Sequence, residues 1–509
     1  MKTRVWLLIL ALFAIAGYGI SSVMFSELSH NMAASMGLSL DEVEVVKVGF
    51  MITQVLGYMC APVLIRKLGT YPLLIAALLA QLCINSVLYW QVSQHWLFTL
   101  SWLCSGLALS TLLVVINVYL LQHFEQRWLP IIIATTLVFS TLIPMGAYPW
   151  LMAKCLEVFN WSFFCVVSAW LFFSALVIAR IFPLPSVAIL TKEKSRPSTY
   201  LILAIAISLV VFLLMRGSYY NWWQSALYSQ LTVVGSALVL LAIFLLVKNR
   251  SMITASIELH SKLKTNVFMY NAFLAGFAVM ASTALFGNFL KLAMHYNDLN
   301  AGYAQLPSFY AMLVGMLLSV AVFYFKPSLA DAVVPFGVLM IMLSVYDFSL
   351  LPSNVSPESL TMPMLLRGFG VGLLNVSVTI SVLMYFNADQ RLEGICNFYL
   401  FRTMGGVIGG AFFSRVIQNQ SAQASGEIGR TLDGTSNAFS AYEQLLSSAI
   451  LTHGRLPSPS LGMSQISGIV KEQATTLALN NALLVFIISI FVLAPILLIG
   501  KKLAAKHSL

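Results

Sequence analysis

Runs of about twenty mostly apolar residues recur along the whole of this 509-residue chain. A helix needs about 20 such residues to cross a hydrocarbon layer about 30 Å thick. Fourteen runs meet that requirement: 5–25, 46–65, 70–90, 96–121, 129–153, 161–182, 198–215, 227–247, 265–290, 305–325, 332–350, 362–386, 394–416 and 477–499. Composition removes the alternatives. Hydrophobic residues make up 59% and charged residues only 9%, against about 45–50% and about 25% in soluble domains. A mean hydropathy of +0.88 excludes a soluble enzyme, and so few charges exclude a disordered chain or a coiled coil. The expected fold class is an all-α polytopic membrane protein.

The net charge of +10 would suggest nucleic acid in a soluble protein. Here the basic residues are divided among short loops, as the positive-inside rule describes. With the N-terminus placed in the cytoplasm, 18 of the 28 Lys and Arg residues fall on that side, eight on the outer side, and Arg367 and Arg402 within spans. Both termini are then cytoplasmic. Six cysteines lie in or beside apolar runs without a CxxC pair, which speaks against disulfides and structural zinc. Lys2 and Arg4 ahead of the first run imitate a signal peptide, but the runs that follow make an uncleaved first span the better reading.

The loops divide the chain into six, two and six spans. Residues 1–182 form a first bundle; 183–264 hold a basic linker, two extra helices and a second basic linker; 265–509 form a second bundle. Within the latter, Gln418–Thr476 is a long outward segment rich in Ser, Gln, Ala and Gly, far longer than joining two neighbouring helices needs. Its end, Ile466–Thr476, is expected to form a surface helix leading into the last span.

Enzymatic signatures are missing. The seven histidines are scattered, and no HExxH, GxSxG or GxxxxGK[ST] occurs, so metalloprotease, hydrolase-elbow and ATP-driven chemistry lack their residues. No metal site and no cofactor is expected, and any transport must draw on an ion gradient.

Charges inside hydrocarbon are costly, about 2.5–3.5 kcal/mol on insertion scales, and mark function by default. Arg402 is about 12 Å into its span at 1.5 Å per residue, beyond easy snorkelling. It either caps carbonyls between helices or takes part in transport. Arg367, one to two turns from the outer end of its span, either snorkels or does likewise. Glu27 and Asp347 stand at outer helix ends, where each carries a proton or is simply solvated, and Lys47 offers Glu27 a surface partner.

Gly405, Gly406, Gly409 and Gly410 bring small residues to four-residue spacing, the device for close helix approach. Gln54, Asn85, Asn117, Asn271, Asn288, Asn375 and Asn397 are the polar groups able to line a cavity. Tyr58, Trp102, Trp150, Phe273, Phe277 and Tyr399 are aromatics able to stack on a ligand. Singly, each is more often a packed or interhelically hydrogen-bonded residue. Together they describe an amphipathic cavity rather than an ion filter, since no ring of acids or TVGYG-like stretch is present.

The six-two-six plan with a long outward loop before the last helix resembles the 14-span drug:proton antiporters of the major facilitator superfamily (EmrB/QacA type). The specific likeness lies in the C-terminal third. Arg367-Gly-Phe-Gly-Val-Gly372 is similar to that family's R-G-x-G-x-G stretch, Asn387–Arg391 and Glu393 occupy the following cytoplasmic turn, and Arg402-Thr-Met-Gly-Gly-Val-Ile-Gly409 is similar to its R-x-x-G-x-x-x-G helix. Lys471-Glu-Gln-Ala then leads into the last span through Asn480 and Asn481. Pro62-Val-Leu-Ile-Arg66-Lys67-Leu-Gly69 keeps the basic pair and final glycine of the superfamily's cytoplasmic gate and lacks its first glycine and its aspartate.

The N-terminal half departs further. The family's first-helix aspartate would fall near Gly17, its fourth-helix arginine near Trp102, and of its fifth-helix G-P-x-x-G-G only Pro149 is kept. The resemblance implies two six-helix bundles plus two inserted helices, alternating access, and a periplasmic adaptor with an outer-membrane channel as partners. The leading reading is an inner-membrane exporter of amphipathic or hydrophobic small molecules, proton-coupled. The alternative is an importer or facilitator of a specific metabolite or metal chelate such as a siderophore. A membrane enzyme or assembly factor would need clustered His, Asp or Ser residues that this chain lacks. Substrate and coupling candidates are Arg402, Arg367, Glu27, Asn375, Asn397, Trp102, Asn117, Asn271 and Asn288, with Arg66, Lys67 and Gly69 at the gate.

Overall fold

A computed structural model describes residues 2–90, 94–185, 197–248, 263–326, 329–352, 355–386, 390–431 and 459–506. The first bundle starts with α1 (Lys2–Met36), α2 (Leu40–Leu68), α3 (Thr70–Tyr89) and α4 (His95–His123). Its fifth crossing is broken. α5 (Leu129–Leu137) runs through a π-turn at Val138–Leu142 into α6 (Ile143–Gly146) and α7 (Tyr148–Leu156), with Pro144 and Pro149 opening the last two pieces. Proline lacks an N–H and suits a first turn, so each break falls where a donor is missing. α8 (Phe163–Ile181) closes the bundle, and α9 (Pro197–Arg216) and α10 (Ala226–Lys248) form a hairpin.

The second bundle is α11 (Leu263–Asn288), α12 (Asp298–Phe325), α13 (Ala330–Ser349), α14 (Thr361–Tyr385), α15 (Arg391–Thr431) and α16 (Pro459–Lys506). Local signals set several ends. Ser39 caps α2 in a reciprocal box: its hydroxyl accepts from the Glu42 N–H at 3.2 Å, and the Glu42 carboxylate accepts from the Ser39 N–H at 2.8 Å. Gly69, which ends α2, has φ +86° and donates its N–H to the Ile65 carbonyl at 2.8 Å. A side chain is strained there, which explains the final glycine of the Arg66–Gly69 stretch.

Among the described residues, twelve helices are long and apolar enough to cross a membrane by length and composition. This is a multi-pass membrane protein. The two expected spans outside that set lie on α9, whose described apolar part is Tyr200–Arg216, and on α15, where Arg402, Asn397 and paired glycines lower the hydropathy. The expected outward segment 418–476 is helical at both ends. α15 continues to Thr431 and α16 begins at Pro459, so Ile466–Thr476 belongs to one unbroken helix with the last span. At 1.5 Å per residue these helices of 41 and 48 residues are about 60 and about 70 Å long, roughly twice a bilayer core. Residues 432–458, most of the two basic linkers, and Asn387–Asp389 lie outside the described residues.

Packing follows small residues. A Cβ on Gly368 or Gly372 of α14 would overlap the Ser308 or Met312 carbonyl of α12, and one on Gly405 of α15 would overlap the Phe273 carbonyl of α11. The helices therefore touch backbone to backbone, as close membrane packing favours. The bundles meet along two seams, α2 against α15 and α7 against α12. At the second seam a Cβ on Gly302 would press into the backbone of Pro149 and Trp150. α9 lies against both α2 and α15, with Val55, Val211 and Val407 joined beneath it. α4 is buried on nearly every side, whereas α10 turns Val233, Leu240 and Phe244 outward, as a peripheral lipid-facing helix does.

Candidate functional site

A chain of polar side chains crosses the first seam at mid-depth. On α1 and α2, Gln54 Nε2 donates to the Tyr18 hydroxyl at 3.4 Å, and the Tyr18 and Tyr58 hydroxyls lie 3.3 Å apart. Tyr58 stacks on Tyr399 of α15, with ring centroids 5.5 Å apart and planes 18° from parallel. Asn117 of α4 donates from Nδ2 to the Leu113 carbonyl at 2.8 Å and to the Tyr399 hydroxyl at 3.2 Å. One turn along α15, Arg402 donates from Nη2 to Asn375 Oδ1 on α14 at 2.6 Å. Its guanidinium faces the Phe398 ring at 5.9 Å and acts electrostatically on Tyr399, Tyr18 and Tyr58. Five helices from both bundles thus supply one cluster.

The accessibility within it is uneven. Tyr58, Asn117 and Asn375 are buried, at 2%, 3% and 1% exposure, while Arg402 is half-buried despite its depth. No acidic side chain lies within ion-pair distance of Arg402 among the described residues. Asn375 must turn its oxygen to the guanidinium, which only donates, so its amide nitrogen is left buried without a partner.

Arg367 occupies a separate place. It is 1% exposed and donates to Thr283 Oγ1 at 2.6 Å and Ser308 Oγ at 3.3 Å, with the Phe286 ring 5.1 Å from its guanidinium carbon. It does not snorkel; it ties α14 to α11 and α12. Trp102 is 1% exposed among Phe25, Phe50 and Phe98, with centroids at 4.2, 5.7 and 6.4 Å. That aromatic plug stands where the resemblance expects an arginine. Gly17 packs against the Phe172 ring, and the polar group of this turn is its neighbour Tyr18. Asn271 is buried on α11, Asn288 is half-buried at the end of that helix, and Asn397 is half-buried on α15 before Arg402.

The face holding the helix ends Leu68, His123 and Arg391 carries links between the bundles. Arg66 and Glu393 form an ion pair, with side chains 10% and 5% exposed. Arg391 donates to the Leu121 carbonyl at 2.6 Å, where the last turn of α4 presents unsatisfied oxygens. Arg127 donates to the Tyr324 hydroxyl at 2.9 and 2.7 Å. Lys67 is exposed beside Arg66. On the opposite face, Glu27 is half-buried. Lys291 of the second bundle and Lys47 of α2 act on it electrostatically, but they form ion pairs with Asp298 at 2.8 Å and Glu44 at 3.0 Å instead. The α9–α10 turn braces the first seam there. Arg216 pairs with Asp41 at 2.7 Å, Ser218 meets Ser414 at 2.7 Å, and Gln418 donates to Asn221 at 2.9 Å.

Sequence reasoning singled out Arg402, Asn375, Asn117, Gln54, Tyr58 and Tyr399 separately, and the structure brings these together. It leaves Arg367, Trp102, Glu27, Asn271 and Asn288 outside the cluster. Tyr18 was missed, and its signal was a phenol in the middle of an apolar helix. Glu393 was noted only as part of a turn.

Solved structures share the fold. The nucleoside transporter NupG, as a mutant, superposes with a TM-score of 0.53 over 96% of this chain and 99% of its own, at 13% identity. The human organic anion transporter MFSD10 (TETRAN) superposes with a TM-score of 0.54 over 82% and 93%, at 12% identity. The fold is the major facilitator fold. At such identities the likeness is one of architecture alone. No family model matches the chain, and no curated protein matches it in sequence.

Proposed function

We propose that this protein is a secondary transporter that exports amphipathic or hydrophobic small molecules by alternating access. The observation that carries the reading is Arg402, a half-buried cation without an acid partner among the described residues, held by Asn375 where helices of both bundles converge. A structural cation deep in a membrane protein is usually paired; one left open between two movable halves is suited to a passing ligand. The Arg66–Glu393 pair closes one end of that path. Alternating access opens this pair and draws the opposite ends of the bundles together.

The finer reading places fourteen crossings in the inner membrane, both termini in the cytoplasm, and Arg66, Lys67 and Gly69 at the cytoplasmic gate. Proton coupling, where it operates, runs through Glu27, the acid of α1, rather than through Gly17 or Trp102. The projecting ends of α15 and α16 are the surface offered to a periplasmic adaptor and an outer-membrane channel. Import or facilitation of one metabolite or metal chelate is the second reading, favoured by the absence of acid and arginine at the usual antiport positions. Comparing compounds retained in and released from cells with and without the gene tests the direction. Export predicts retention of the substrate in the deletion strain; a compound that instead stays in the medium of that strain selects import.

A further inference from the structure

We propose that the ligand of the Arg402 cluster is an amphipathic monoanion, an acid carrying one negative charge on a flat apolar body. The proposal deepens the transporter reading and does not depend on direction. It stands on the hydrogen-bonding inventory of the cluster. Arg402 uses one N–H on Asn375 and has further donors in its fork. The Asn375 amide nitrogen beside it is buried and without an acceptor. Asn117 donates to the Tyr399 oxygen, which leaves the Tyr399 proton without an acceptor among the described residues. Gln54 donates to Tyr18, and Tyr18 and Tyr58 share a single bridge, so one of their two protons is also left over. The amide oxygens of Gln54 and Asn117 are the acceptors opposed to these. The Asn117 and Asn375 amides are not open to reversal, because the Leu113 carbonyl and the Arg402 guanidinium respectively dictate which end faces them.

The charge count agrees. α4 and α14 carry no acid. The acids of α2 are Asp41, Glu42 and Glu44, all in its first turns at the opposite face. On α1, Glu27 lies nine residues beyond Tyr18; on α15, Glu393 lies nine residues before Arg402 and is occupied by Arg66, and Glu427 lies 25 residues beyond Arg402, near the far end of the helix. One cation surrounded by donors, with no counter-ion among the described residues, is complementary to one carboxylate-like group. A second negative charge would be left desolvated and unpaired. The stacked Tyr58 and Tyr399 rings and the face of Phe398 supply an apolar wall beside the charge.

The test uses full-length protein in lipid nanodiscs and equilibrium dialysis with four probes of one shape: naphthalene-2-carboxylate, naphthalene-2-sulfonate, the neutral naphthalene-2-carboxamide and the cationic 2-naphthylmethylammonium, each corrected for empty nanodiscs. Both anions are expected to bind at least about tenfold tighter than the amide, with the cation weakest, as a charge-assisted pair implies. Arg402→Gln should remove that preference while keeping amide binding, and Arg402→Lys should restore part of it. Asn375→Asp, which adds no bulk, should expel the anions by giving Arg402 an internal counter-ion. The proposal is overturned if the amide binds as tightly as the anions, if Arg402→Gln keeps the preference, or if none of the probes binds. Proteoliposomes separate this from the transporter reading. Nanodisc preference without movement of any probe removes transport and leaves the ligand class standing. Equal movement of amide and acids removes the class and leaves the transporter.

Discussion

Arg66, at the end of α2, and Glu393, in the first turn of α15, form an ion pair that joins the two bundles with both side chains nearly sealed from solvent. Their helices are the same two that meet at the central cluster, about 14 Å away along α15 at its helical rise. A change at one end of the seam therefore bears directly on the other.

Removing one partner of a buried pair leaves the other uncompensated, a loss of about 3–5 kcal/mol. Glu393→Gln is thus expected to open this face. Cys396, 3% exposed and one turn from Glu393, is a native reporter when the other five cysteines are replaced by serine. Maleimide labelling of Cys396 should accelerate by about tenfold or more, since about 1.4 kcal/mol is a factor of ten. The swapped pair Arg66→Glu with Glu393→Arg should restore protection. Unchanged labelling in Glu393→Gln would show that the pair does not hold the gate.

The paired glycines of α15 should separate sharply. A Cβ on Gly405 overlaps the Phe273 carbonyl, whereas one on Gly410 meets nothing within 4 Å. Gly405→Ala is expected to lower thermal stability by about 1–3 kcal/mol through overpacking, while Gly410→Ala is neutral or slightly stabilising. Fluorescence-detected melting of the solubilised protein checks both, and equal effects would contradict the packing given for α11 and α15.

At the brace, Arg216 is 6% exposed and lies 3.9 Å from the Tyr219 ring centroid, but its partner Asp41 has a side chain 41% exposed. Solvent screens such a pair, so Asp41→Asn should lose no more than about 1 kcal/mol. Arg216→Ala also loses the contact with Tyr219 and should lose about twice as much. Melting curves compare them; a larger effect from Asp41→Asn would assign the brace to charge alone.

Glu27 supplies the coupling test. In proteoliposomes under an imposed pH gradient, Glu27→Gln is expected to flatten the pH dependence of transport while leaving exchange without a gradient intact. A gradient that drives wild type and this variant equally removes Glu27 from coupling.

The sequence by itself determined that this is a bundle of membrane helices, because spans are specified locally. About twenty apolar residues satisfy their own backbone hydrogen bonds wherever they lie in the chain, so most spans were legible without any partner. The same reasoning under-read α15, whose continuation to Thr431 follows polar residues that hydropathy treats as loop. It flagged Arg402 and Arg367 as cations in hydrocarbon, and expected Arg402 deep and Arg367 near enough to the outer end to snorkel, whereas Arg367 is the more deeply enclosed. Tertiary structure separates their surroundings: Arg367 is enclosed by Thr283, Ser308 and Phe286, and Arg402 is half-buried beside Asn375 and Phe398 where helices of both bundles converge. Nor could periodicity reveal that Asn117 meets Tyr399 across 282 residues of chain, or that Arg66 finds Glu393. A polar side chain within a span needs a partner, but the bilayer does not say which. Only the packing of one bundle against the other, through glycine contacts a few atoms wide, decides that choice.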